Sequence, residues 1–241
     1  MSRSLPLYRV RAVNTAPDSE NEIHDDRVAA QYGFRGGLVP GITVYGYMTV
    51  PVVQFDPAWF DHGSMQVRFR EPVYDSDAVI VRAEAADDGS IQVVAEREDG
   101  AIYATGTAHI AHAETKPDLL PVKDLPRVRP VPGRDNLIAG AALGTIVETL
   151  DVVEPERLLK LSNHILMRNF ELGPWIHAAS EVTNWSAPLV GDEMAARGRI
   201  CDRFDRKGHE FVVVDVMLIA NSERLVQTVR HTAIYRPKGT S

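Results

Sequence analysis

Two stretches, Trp59-Phe-Asp-His-Gly-Ser64 and Trp175-Ile-His-Ala-Ala-Ser180, begin and end alike, and their tryptophans stand 116 residues apart (175 − 59). At the same spacing Phe69 meets Trp185, Pro72 meets Pro188, Val73 meets Leu189 and Asp77 meets Glu193. Trp, Ser, aromatic and Pro agreeing at one offset read as a duplicated fold. The expected division is a first unit over residues 1–115, a proline-rich linker over 116–134 and a second unit over 135–241.

In the first copy, residues 41–55 carry Ile42, Val44, Tyr45, Met48, Val52 and Phe55 without a charge, so they read as a buried helix, apolar nearly all round. Pro51 is expected to end or kink it. In the second copy Leu158, Leu159, Leu161, Ile165, Leu166 and Phe170 repeat at helical spacing over residues 157–171. Alternation at residues 65–70, 78–85, 91–97 and 101–111 reads as antiparallel strands, with Asp87-Asp88-Gly89-Ser90 and Asp99-Gly100 as turns. Gly208 and Asn221-Ser222 mark the hairpins of the second copy, beside strands at 211–220 and 225–235. Leu7, Tyr8, Val10 and Val13 fit a short first strand. A helix followed by a meander of strands is an α+β layout in which each sheet wraps its helix. Pro117, Pro121, Pro126, Pro130 and Pro132 keep the linker extended.

The 241 residues are 44% hydrophobic and 24% charged, a globular composition. A formal charge of −7 argues against a nucleic-acid partner, which calls for a net basic face. Cys201 is the single cysteine, so there is no internal disulfide, and it reads as a packing residue. The start has no apolar core of signal-peptide length and no run of 18 apolar residues occurs, so the expectation is a cytoplasmic protein with no membrane partner.

The polar residues that do not repeat lie in Asn21-Glu-Ile-His-Asp-Asp-Arg-Val-Ala-Ala-Gln-Tyr-Gly-Phe-Arg-Gly-Gly-Leu-Val-Pro-Gly41. At the repeat offset His24 falls opposite Gly140 and Asn21 opposite Leu137, which implies one site per chain. His24 and the backbone N–H groups around Gly41 are expected to face one substrate. The bland alternative is a surface histidine in a turn with Asp25 and Asp26, themselves helix N-terminal acids. Asn163-His164 in the second helix is a rival polar pair, either satisfied in the core or lining a pocket. His109 and His112 fall on opposite faces of a strand, and no metal is expected.

Asn21-Glu-Ile-His24 with Ala30, followed by Gly33-Phe-Arg-Gly-Gly-Leu-Val-Pro-Gly41, resembles the hydratase motif of the MaoC-like acyl dehydratases, the (R)-specific enoyl-CoA hydratases. Val67-Arg-Phe-Arg-Glu-Pro-Val-Tyr-Asp-Ser-Asp77 resembles the same family's strand after its central helix. The resemblance implies a double hot dog fold, two fused units each with an antiparallel sheet wrapped round a central helix, and an acyl thioester bound at the seam. It implies His24 as the acid–base residue, Asn21 beside it and Gly41 as the N–H donor to the thioester carbonyl. Imidazole suits reversible hydration because it takes and returns a proton near neutrality. An N–H at a helix start suits an oxygen that gains negative charge.

The chain departs from the motif at three positions. Ser19 stands at the family's catalytic aspartate, Glu22 at its proline, and Pro40 at the histidine before the helix glycine. Asp18 or Glu20 is the carboxylate expected to substitute. Ser19, Pro40 and Tyr45 are candidate substrate-binding residues, and Arg127, Arg129 and Arg134 are either contacts for coenzyme A phosphates or part of a solvated linker. The implied function is reversible addition of water to an enoyl thioester, as in fatty acid metabolism, with coenzyme A as part of the substrate and no separate cofactor. The alternatives are an acyl-CoA thioesterase and a non-catalytic acyl-thioester- or partner-binding protein. A fused pair already supplies the dimer that single hot dogs need, so a monomer or a homodimer of the chain is expected.

Overall fold

The computed structural model describes residues 3–112 and 115–239. Two 15-residue helices, α2 (Gly41–Phe55) and α4 (Pro155–Asn169), pack against each other. An eleven-stranded, open antiparallel sheet covers them. The first unit contributes β1 (Arg3–Ser4), β2 (Tyr8–Arg11), β3 (Ser64–Phe69), β4 (Ala78–Ala85), β5 (Ser90–Glu96) and β6 (Ile102–His109). The second contributes β7 (Ile146–Thr149), β8 (Ile176–Asn184), β9 (Glu193–Arg206), β10 (His209–Ala220) and β11 (Arg224–Arg236). The strand order is β1-β4-β5-β6-β3-β8-β11-β10-β9-β7, with β2 also on β4. The units therefore meet where β3 pairs with β8, in the register Met65↔Val182 and Val67↔Ser180. No helix among the described residues is long and apolar enough to cross a membrane.

Each helix forms for the reason its sequence gives. Uncharged α2 buries Ile42, Val44, Tyr45, Met48 and Val52, and it runs through Pro51 to Phe55 instead of stopping. Pro51 is itself buried, so burial of this helix offsets the ~3 kcal/mol that an interior proline costs. Helix α4 starts two residues earlier than expected because Pro155 occupies its first turn, where a missing N–H costs nothing. It buries Leu158, Leu159, Leu161, Ile165 and Leu166 and leaves Lys160 and Arg168 exposed.

The hairpin turns fall where predicted, with Gly89, Gly100, Gly208, Asn221 and Ser222 at positive φ. The first strand is split into β1 and β2, which flank Pro6 and Leu7. The turn before each unit's next long strand is closed by a carboxylate that accepts the N–H three residues earlier, Asp77 from Tyr74 and Asp192 from Leu189. The partner of Asp77 in space is thus Asp192 rather than Glu193, because the turn geometry and not the letter alignment fixes the register.

The repeat tryptophans are both buried, but their settings differ. Trp59 opens a short helix α3 (Trp59–His62), whereas Trp175 directly precedes strand β8. Each is held through its backbone by an asparagine of the other unit. Asn184 Nδ2 donates to Trp59 O (3.0 Å), and Asn21 bonds both the N–H and the C=O of Trp175 (3.0 Å each).

Candidate functional site

The residues between β2 and α2 fold back over the start of the central helix. Asn21 caps the 3-10 turn Glu22–His24, and Asp25 then caps α1 (Asp26–Gln31) by accepting from the N–H groups of Arg27 and Val28. Asp25 is thus a helix-capping acid, as its position suggested, and Asp26 accepts from Gly37 N–H (2.7 Å). Glu22 is exposed at the first position of its turn, where proline is also tolerated, so this departure from the motif leaves the conformation intact. Gly37 is required by packing, since a Cβ there would lie 2.0 Å from the His24 carbonyl oxygen.

Trp175 fixes the orientation of the Asn21 amide. Its N–H can only donate, so it meets Oδ1, and its C=O can only accept, so it meets Nδ2 (3.0 Å each). The second N–H of Asn21 Nδ2 is then directed at His24 Nε2 (3.2 Å). His24 Nδ1 lies 2.6 Å from Leu38 O and must carry the ring proton, which leaves Nε2 with its lone pair. Burial lowers the His24 pKa, with the Leu38 bond opposing in part. His24 is therefore a neutral base at neutral pH.

His24 sits where two cavities meet. The inner one, about 250 Å³, is walled mostly by apolar residues, among them Leu38, Val44, Phe69, Val73, Trp175 and Ile176, with Gly41 and His177 beside them and Arg70, Glu71 and His209 also at its border. The outer one, about 540 Å³, carries Asp18, Ser19, Glu156, Lys160 and His164. Asn21, His24, Pro40, Asn163 and Trp175 border both. Pro40 precedes α2 with no side-chain cap, and its carbonyl takes the N–H of Thr43 and Val44. The N–H groups of Gly41 and Ile42 have no partner within the helix, so they remain as donors at its positive end. An alanine at Gly41 would place its Cβ 2.9 Å from His177 Nδ1, so glycine permits this close approach.

The structure thus gathers Asn21, His24, Pro40 and Gly41 at the inner cavity and Asp18 and Ser19 at the outer one. Ser19 donates to Asn21 O (3.1 Å). Two expected residues fall elsewhere. Glu20 turns outward to pair with Arg129 of the linker (2.5 Å), so of the two substitute carboxylates only Asp18 borders the cleft. Tyr45 is fully buried in the core and lines neither cavity, because its place on α2 faces the protein interior. Of the linker arginines, Arg129 is taken by Glu20 and Met167 O, and Arg134 pairs with Asp205.

Asn163 lines both cavities with its Oδ1 unpartnered, while His164 is held by Glu148 (2.7 Å) at the outer one. Sequence reading missed His177, Ser180 and His231. Three residues apart on a strand, His177 and Ser180 should face opposite ways. They share a face because β8 is bulged at Ala178, with Thr232 opposite Ala179 and Ala233 opposite His177.

No family model and no curated protein matches the chain. Solved structures do match. A protein named as a MaoC domain protein dehydratase from Chloroflexus aurantiacus J-10-fl shares 11% identity at a TM-score of 0.67, over 99% of this chain and 95% of that one. A conserved hypothetical protein from Mycobacterium tuberculosis, reported to have a double hotdog fold, shares 14% at 0.63, over 95% of this chain and 96% of that one. The fold is a double hot dog. A protein named as a thioesterase II from Thermobifida fusca YX is similar at 14% identity and 0.59, over 95% of this chain and 91% of that one. At such identities the likeness carries the fold, which proteins named for either reaction share.

Two expectations follow from the buried polar groups of this double hot dog. Asn21→Ala leaves the Trp175 N–H and C=O unpaired in the interior, at a cost of about 3 kcal/mol in a denaturant titration. Burial lowers the pKa of His24, His177 and His231 below the 6.5 of an ordinary imidazole, the last to about 3. The unfolded chain therefore binds more protons than the folded one below pH 6.5, and stability falls as the pH is lowered. Between pH 6.5 and about 5, above the range where carboxylates titrate, His231 contributes a slope of about 1.4 kcal/mol per pH unit. That increment is expected to disappear from the stability–pH profile of His231→Gln.

Proposed function

We propose that the chain acts on an acyl thioester, adding water reversibly to a 2-enoyl group. The observation that carries this reading is the neutral His24 imidazole and the start of α2 at Gly41 bordering one mostly apolar cavity, with a second, more polar cavity adjoining it at His24. The acyl chain occupies the inner cavity and the carrier leaves through the outer one. The thioester oxygen accepts from the Gly41 N–H at the start of α2, which favours the enolate-like charge of the transition state.

In the dehydration direction the bound thioester displaces the Asn21 N–H from His24 Nε2, and the freed lone pair takes the Cα proton of a 3-hydroxyacyl thioester. The Cα–H electron pair becomes the new double bond as the Cβ–O bond breaks, and the imidazolium gives the same proton to the departing hydroxyl. Water leaves and the neutral imidazole is restored; hydration is the reverse. One base suffices for this syn path, so Ser19 at the aspartate position does not preclude it. Burial and the N–H of Asn21 both disfavour the imidazolium, which promotes return of the proton.

Thioester hydrolysis is the second reading. It is favoured by the unpartnered Asn163 Oδ1, which borders both cavities and would hold a water near the carbonyl. The test is the enoyl absorbance of crotonyl-CoA, followed beside release of free thiol. Hydration predicts loss of absorbance without thiol, lowered at least about 100-fold in His24→Ala and less than about tenfold in Asp18→Ala. Free thiol moves the chain to thioester hydrolysis. Tight binding with neither signal makes it an acyl-thioester-binding protein.

A further inference from the structure

The inner cavity has a second polar wall that the proposed reaction does not use. His177 lies on β8, and His231 lies on β11 directly opposite Ser180. The three form a buried chain, with His177 Nε2 2.8 Å from Ser180 Oγ and Ser180 Oγ 3.3 Å from His231 Nδ1. Among the described residues His177 Nδ1 and His231 Nε2 have no partner in hydrogen-bond geometry, although the nearby Ala179 backbone acts on the His177 ring, and only His177 borders the cavity.

Two proton arrangements fit the chain. If His177 Nε2–H donates to Ser180, the hydroxyl proton passes to His231 Nδ1, and the His231 N–H is left orphaned in the core. If instead the serine hydroxyl donates to His177 Nε2, His231 Nδ1–H donates to the serine oxygen, only a lone pair of His231 is left unmet in the core, and the free N–H is that of His177 Nδ1, on the residue that borders the cavity, where a ligand can accept it. Buried orphan N–H groups are rarer than under-used acceptors, and 2.8 Å suits O–H···N while 3.3 Å is the longer N–H···O. The second arrangement is favoured, and it places the proton of His177 on Nδ1, beside Gly41.

We infer that His177 Nδ1–H is a second donor to the ligand carbonyl, completing with the Gly41 N–H a two-donor oxyanion site whose tautomer is set by Ser180 and His231. His177 then touches the reacting group, and Ser180 and His231 are positioning residues. The inference rests on the acyl-thioester reading but not on which reaction follows, since both reactions polarise the same carbonyl.

The probe is 2-oxopentyl-CoA labelled with ¹³C at the ketone, an analogue of butyryl-CoA with a methylene between sulfur and carbonyl, which is neither hydrated nor hydrolysed. Its bound carbonyl stretch is read by infrared difference spectroscopy in the wild type and in His177→Leu, His177→Asn and Ser180→Ala. The expected result is a carbonyl shifted to lower frequency in the wild type, a shift reduced by about half in His177→Leu and retained in His177→Asn, which keeps a donor. Ser180→Ala, which keeps the imidazole, gives an intermediate shift. On whichever thioester is turned over, His177→Leu lowers kcat by about 100-fold with little change in KM. An unchanged shift in both His177→Leu and Ser180→Ala overturns the inference and leaves Gly41 as the sole donor. If the wild type does not bind the probe, the acyl-thioester reading itself fails.

Discussion

The side-chain amide of Asn21 is the constraint on which the site depends. It closes a pair of hydrogen bonds with the backbone of Trp175, which belongs to the other half of the chain, and spends its remaining N–H on His24. Because both Trp175 groups have fixed roles, the amide cannot flip, and the orientation of the imidazole follows from the docking of the two units. The reciprocal bond from Asn184 to Trp59 fastens the seam from the other side. These contacts are buried, so each would cost more to lose than it contributes net when formed.

The seam explains why the candidate site forms once in two copies of the fold. Strand β3 beside β8 makes the sheet continuous, and α2 against α4 makes the helical layer continuous. What remains open is the wedge between the start of α2, the loop carrying His24, and the start of β8. The first unit supplies the titratable nitrogen and the helix-end donors, and the second supplies Asn163, Trp175 and His177 as the facing wall. Neither copy alone could enclose this cavity. Burial keeps His24 and His177 neutral at rest, so each meets a ligand as an imidazole and not as a standing cation.

Much of the fold was legible because hydrophobic periodicity is local. An uncharged run from Gly41 and the alternation from Met65 onward require only the rule that apolar faces must be covered, and the turn residues supply the punctuation. The misreadings have local causes as well. Pro51 breaks a helix only where nothing else holds it, and here the core does. Tyr45 sits near the motif in sequence, but on a helix buried nearly all round a neighbouring position can point away from the ligand. Glu20 follows Ser19 directly, yet Arg129 draws it outward, and a partner 109 residues away (129 − 20) is invisible to motif spacing.

The sequence by itself determined the duplication, the two central helices, the strand meander and the Asn21–His24–Gly41 constellation, since each depends on residue type and on spacing along the chain. Only the tertiary structure decided which nitrogen of His24 carries the proton and which the lone pair, because that follows from Leu38 and Trp175, brought close by folding. It also decided that His177, Ser180 and His231 share one face. A regular strand would have separated the first two, and a bulge at a single residue, set by pairing with β11, joins them.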